Sequence, residues 1–265
     1  MPIKKDGTGK RWVEMEVLVP GTPEQVWQAM ATGPGYNSWF TRTTIEEKVG
    51  GKLSFSFGPE MSSTGEINLW EPPHRFGYTE YEWGEKAPPI ATEITITSRS
   101  GDQCLVRMVH SLFASSDDWD DQMEGFESGW PGFFAVLQLY LTHFAGQKGA
   151  CFQAMQATEG EHLTVWKRLT EKLGLAGANV GERRELPAVL QAFAGTVEQA
   201  EQNRKQRHVL LRSDDGVALI GSYTMGDKIN LSACLFFYGD DADKRAAGSE
   251  PKWQGWLKDH FAAAG

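Results

Sequence analysis

From Arg11 to Val19 apolar and polar side chains alternate, the period of a half-buried strand, and Pro20-Gly21 ends the run. Thr22-Pro23-Glu24 then opens a helix, with Thr22 as N-cap and Pro23 in the first turn, where its missing N–H costs nothing. Val26, Trp27 and Met30 form its buried stripe, and Gly33-Pro34-Gly35 stops it before a short helix or turn over Tyr36 to Phe40. Six strand-like runs follow: Thr43 to Val49, Lys52 to Phe57, Gly65 to Trp70, Arg75 to Trp83, Ala91 to Ser98 and Cys104 to Phe113. Gly50-Gly51 suits a hairpin turn between the first two. The acidic stretch Asp117 to Glu127 predicts a helical turn or short helix. A strongly amphipathic helix then runs from near Gly129 to near Gly146, with Trp130, Phe133, Phe134, Leu137, Leu141 and Phe144 on one face. Its start is placed at Gly129 because Pro131 belongs in a first turn, not in a helix interior.

A helix with one broad aromatic face must cover a sheet. The economical arrangement for strand, two short helices, six strands and long helix is a bent antiparallel sheet closed over that helix, with a gap where the two shapes diverge. The expected fold class is therefore α+β, with a helix-grip unit over residues 1–147. Residues 148–265 read as a smaller α+β unit. Its helices are Glu161 to Leu173 and Trp253 to Phe261, with a helical stretch at Ala188 to Phe193. Its strands are Val209 to Arg212, Val217 to Thr224 and Ile229 to Tyr238, with turns at Asp214-Asp215-Gly216 and Gly226-Asp227. Val165-Trp166 echoes Val26-Trp27, and each half ends in a Trp- and Phe-rich helix. The second half is thus either a shortened, diverged repeat of the first or an unrelated α+β extension.

Composition narrows the function. The excess of acid is confined to residues 1–146, which carry 11 Lys/Arg against 20 Asp/Glu, while the remainder carries 15 of each. An acidic surface repels phosphate backbones, so no nucleic-acid partner is expected. Three widely spaced Cys argue against a disulfide framework or zinc site and suit a reducing compartment. No apolar run approaches the ~20 residues that span a bilayer, and the polar start lacks a secretory signal's apolar core. A cytoplasmic location is expected.

The run Thr22-Pro23-Glu24-Gln25-Val26-Trp27-Gln28-Ala29-Met30, then Trp39-Phe40, resembles the opening of START-like (SRPBCC) domains. Gly50-Gly51-Lys52-Leu53-Ser54-Phe55, Gly65-Glu66-Ile67 and Glu71-Pro72-Pro73-His74-Arg75-Phe76 resemble one branch, as do His110 and Gly129-Trp130. That branch contains homologues of the activator of the ninety-kilodalton heat-shock chaperone ATPase. The resemblance covers roughly residues 11–146 and implies a helix-grip fold with an interior cavity. It also implies binding of lipids, hormones, polyketides or other apolar molecules, with some members acting as cyclases or hydroxylase subunits. A family name does not by itself establish chaperone binding.

A ligand pocket needs apolar walls and a few orienting polar groups. The candidate walls are Trp39, Phe40, Phe55, Phe57, Trp70, Tyr78, Trp83, Phe133, Phe134 and Leu137, each of which core packing also explains. His110 shares a face with Val106, Met108 and Leu112. It is read either as a hydrogen-bonding or proton-transfer group in the pocket or, more ordinarily, as a buried histidine held by a neighbour. Glu80 and Glu82 share the face of Tyr78; one of them as an inward acid competes with the commoner solvated reading. Asp117, Asp118, Asp120, Asp121 and Glu124 lack the glycine and spacing of a calcium loop and read as a solvated helix start. No catalytic residue, metal or cofactor is expected. The expected function is non-catalytic binding of a small apolar or amphipathic molecule. A protein-interaction or chaperone-regulating module and a polyketide-cyclase-like enzyme are the alternatives.

Overall fold

The computed structural model describes residues 3–58, 61–81, 87–113, 119–191, 193–202, 206–225 and 228–262; the side chains of 121, 122, 124, 126–128 and 225 lie outside it. Two compact units divide the chain, residues 1–146 and 147–265.

The first unit is an eight-stranded antiparallel sheet with helices. Its strands are β1 (Lys4–Lys5), β2 (Lys10–Pro20), β3 (Arg42–Ile45), β4 (Lys52–Ser56), β5 (Ser62–Glu71), β6 (Arg75–Glu80), β7 (Ile90–Arg99) and β8 (Gln103–Phe113), in the order β1-β2-β8-β7-β6-β5-β4-β3. The alternating run that opens the sequence therefore pairs with the last strand of its unit, in the register Val13↔His110 and Val17↔Val106. Between β2 and β3 lie α1 (Pro23–Ala31) and α2 (Gly33–Tyr36). Thr22 caps α1 with a full capping box: its hydroxyl accepts from Gln25 N and the Gln25 side chain accepts from Thr22 N. Gly35 is required by close approach, since a Cβ there would lie 1.9 Å from the Gln28 carbonyl oxygen of α1.

The long helix α3 (Asp120–Leu139) continues as a π-helical turn over Tyr140–Phe144 and packs on β2. It starts nine residues before the expected Gly129, so Pro131 sits inside it. The missing Pro N–H removes one helical bond. Contacts outside the helix compensate at its first residue, where Asp120 meets Lys5 at 2.5 Å and Arg11 at 3.4 Å. The predicted separate acidic turn is in part the first turns of α3; its residues 117 and 118 lie outside the described residues.

The second unit repeats this plan with one strand fewer after its first helix. It contains β9 (Gly149–Thr158), α4 (His162–Lys172), β10 (Arg183–Glu185), β11 (Ala194–Gln202), β12 (Gln206–Arg212), β13 (Gly216–Met225), β14 (Lys228–Tyr238) and α5 (Ala242–Phe261). The sheet order is β10-β11-β12-β13-β14-β9, so here too the first strand lies beside the last, and a long helix follows. The strands β9, β10 and β11 add to the three expected ones. The stretch expected as a helix at Ala188 to Phe193 is a single 3-10 turn, Ala188–Leu190. The final helix begins eleven residues before Trp253 and holds Pro251 inside it. The second half is thus an α+β unit whose sheet order mirrors that of the first. No described helix is long and apolar enough to cross a membrane.

Candidate functional site

Strand register places the inward side chains of the first unit in rungs. One rung reads Ile67, Tyr78, Thr92, His110 and Val13 across β5, β6, β7, β8 and β2. The next, toward the end where β6 finishes, reads Gly65, Glu80, Ile90, Leu112 and Arg11. Facing these rungs are α3 and the segment after α2.

That segment supplies the densest aromatic packing. Trp39 is fully buried, its indole N–H donating to the Ala29 carbonyl at 2.8 Å. It stacks on Tyr36 at 5.4 Å and on Phe134 at 6.4 Å. Phe40 stacks on Trp130 at 4.8 Å and meets Phe133, Phe55 and Phe57 edge-on. Phe55 touches Tyr78 at 5.6 Å. Offset and edge-to-face geometries at these distances are the favourable ones for ring pairs. Most of the expected wall residues are therefore gathered into one cluster: Trp39, Phe40, Phe55, Phe57, Tyr78, Phe133 and Phe134. Phe57 and Phe133 are partly exposed and mark its outer end. Leu137 is fully buried one turn further along α3. Trp70 stands apart, edge-on to Trp27 of α1 at 5.0 Å and to Phe76 at 5.4 Å, so it belongs to the α1 side of the core. Trp83 and Glu82 lie outside the described residues.

His110 is held at both ring nitrogens. The Trp130 indole N–H donates to Nε2 at 2.8 Å, so Nε2 carries no proton. Nδ1 must then hold the proton and donates it to the Thr92 hydroxyl at 2.8 Å. Burial pushes the imidazole pKa down to about 4. This is a neutral histidine fixing α3 to the sheet, the more ordinary of the two sequence readings.

Glu80 faces inward beside Tyr78, against the solvated reading. Its carboxylate accepts from the Ser63 hydroxyl, and burial raises its pKa to about 7. Ser63 is its only hydrogen-bond partner among the described residues, and no cation pairs with it there. The sequence reading missed Tyr36. Its hydroxyl is wholly buried and faces that of Tyr78, yet makes no well-formed hydrogen bond. Burial pushes the pKa of both phenols up. Nothing in the local pattern flags Tyr36, because a residue closing a four-residue helix has no periodicity to reveal its direction. Among the described residues no three His, Cys, Asp or Glu side chains are grouped to hold a metal.

Several solved structures align with the chain. Protein MLL2253 from Mesorhizobium loti is 23% identical over 51% of this chain and 98% of its own, with a TM-score of 0.46. DynU16, from the dynemicin biosynthetic locus, is 16% identical over 92% and 94%, with a TM-score of 0.45. The Aha1 protein from Colwellia psychrerythraea, solved as a dimer, is 19% identical over 49% and 95%, with a TM-score of 0.41. No curated protein matches. Residues 20–142, nearly all of the first unit after β1 and β2, match the model of the family described as Activator of Hsp90 ATPase homolog 1-like protein. Over those residues the first unit is similar to this family, and its helix-grip fold agrees with the likeness.

Proposed function

We propose that the first unit binds a small apolar or amphipathic molecule between α3 and the inner face of its sheet, without transforming it. The observation that carries this reading is the Tyr36 hydroxyl, buried among stacked rings with only the poorly aligned Tyr78 hydroxyl to meet it. Buried polar groups are nearly always satisfied, and a bound ligand's oxygen or nitrogen would satisfy this one. Ring surfaces from Phe40, Phe55 and Phe133 supply the apolar wall, where each Å² of ligand surface removed from water contributes about 25 cal/mol. Catalysis is disfavoured because both nitrogens of His110 are engaged in structural hydrogen bonds.

Native mass spectrometry of freshly purified chain tests the reading. A released small-molecule adduct is expected, or, from ligand-free protein, saturable uptake of a naphthalene-sized probe that Phe40→Ala weakens at least ~5-fold, as loss of one ring wall implies. No adduct together with no probe uptake overturns it. The chaperone-regulating alternative rests on the family's name; a change in chaperone ATPase rate on adding this chain would favour it.

A further inference from the structure

We propose that the molecule bound by the first unit is an amphipathic amine, its cationic nitrogen seated on Glu80 and its apolar body among the rings. This deepens the reading above and rests on it.

Three observations lead there. First, among the described residues no cation pairs with Glu80 on the inner face. The same rung carries one other ionic side chain, Arg11, three strands away or roughly 14 Å at ordinary strand spacing. Arg11 is already matched by Asp120 at the start of α3. Second, among the described residues the carboxylate accepts one hydrogen bond, from Ser63. A carboxylate offers about four acceptor positions, so most of its capacity is left for a donor. Third, its surroundings suit a cation. Gly65, its neighbour in register on β5, places no side chain beside it. Tyr78 lies two residues along the same face, and Phe55 and Phe57 continue the wall. Aromatic faces attract cations, and an anionic head group would be repelled by the Glu80 carboxylate. A neutral alcohol would bond to Glu80 but would leave its charge unbalanced.

Burial supports the assignment: it holds the Glu80 proton up to pH of about 7 in the empty site. An amine arriving neutral, the stronger base, takes that proton, and one arriving as its cation releases it to solvent; either way an ion pair replaces the lone acid.

The test uses one ring system with three head groups: 1-(aminomethyl)naphthalene, 1-naphthalenemethanol and 1-naphthoic acid. Each is titrated into the full chain at pH 7.5 by calorimetry. The amine should bind ~10-fold or more tighter than the alcohol, the scale of a charge-assisted bond against a neutral one, and the acid more weakly than either. In Glu80→Gln the amine should lose its advantage over the alcohol, while circular dichroism and thermal unfolding report a folded chain. If the alcohol or acid matches the amine in the wild-type chain, or the preference survives in Glu80→Gln, the amine assignment fails and the pocket reading stands. If none of the three binds, both fail. The wild-type series alone decides the matter if Glu80→Gln does not fold.

Discussion

Tyr36 and His110 sit in adjoining parts of one interior and differ in how their polar atoms are met. The imidazole has a partner on each nitrogen, whereas the Tyr36 phenol oxygen has no well-formed bond. Removing a poorly satisfied hydroxyl costs little, while removing one member of a well-satisfied pair exposes the other. Tyr36→Phe should therefore leave ligand-free stability unchanged or raise it by about 1 kcal/mol. Thr92→Val, which takes the acceptor from His110 Nδ1–H, should lower it by about 1–3 kcal/mol. Urea unfolding of both variants checks the pair; a large loss in Tyr36→Phe would show that its hydroxyl has a partner. The buried face of the sheet is legible because alternation fixes which side of a strand is covered, as at Phe55 and Tyr78. Trp70 was misplaced because alternation does not say which helix a buried ring meets. Glu80 was misjudged because a glutamate two positions from a buried tyrosine is usually paired or solvated, and the sequence shows neither condition.

At the scale of elements, a capping threonine and a glycine-rich stop mark helix ends, whereas an internal proline does not. Thr22, Pro23 and the Gly-rich stop delimit α1 as expected. Both long helices run through a proline, Pro131 and Pro251, and their first halves were missed for that reason. One absent N–H is outweighed when tertiary contacts fix the helix start, as the meeting of Asp120 with Lys5 and Arg11 does in α3. In β9, Ala150 to Ala154 are buried without interruption, so the strand shows no alternation, and its alanines and glutamines are weak strand formers. The tight seat of α2 against α1 is an element-level dependence on one missing methyl group. Gly35→Ala would force a Cβ into the Gln28 carbonyl, and a loss of about 2–4 kcal/mol is expected, at the severe end for a single overpacking change. Thermal unfolding measures it, and a shift within error would mean that α2 moves freely away from α1.

At the scale of the whole molecule, two desolvated groups tilt the pH profile in opposite directions. The Glu80 pKa rises from 4.5 unfolded to about 7 folded, so its contribution to stability is full below pH 4.5 and is lost as pH climbs to 7. The His110 pKa falls from 6.5 to about 4, so stability is lost as pH drops from 6.5 toward 4. Between pH 4.5 and 6.5 the two slopes oppose, each at most about 1.4 kcal/mol per pH unit; His208 in the second unit, also lowered by burial, adds to the acid-side loss. Glu80→Gln should match the wild type near pH 4.5 and exceed its stability by about 2–3 kcal/mol at pH 7.5; chemical denaturation at both values checks this, and equal gaps would contradict a titrating Glu80. The pairing of first strand with last has a different consequence, for biosynthesis. In each unit the opening strand waits for a partner made much later: β2 for β8 and β9 for β14. A translating ribosome that pauses between residues 158 and 228 would hold out a finished first unit trailing β9 without its mate. Such an unzipped strand is an invitation to pair with another nascent chain, so the interval before β14 emerges is when this protein most needs shelter.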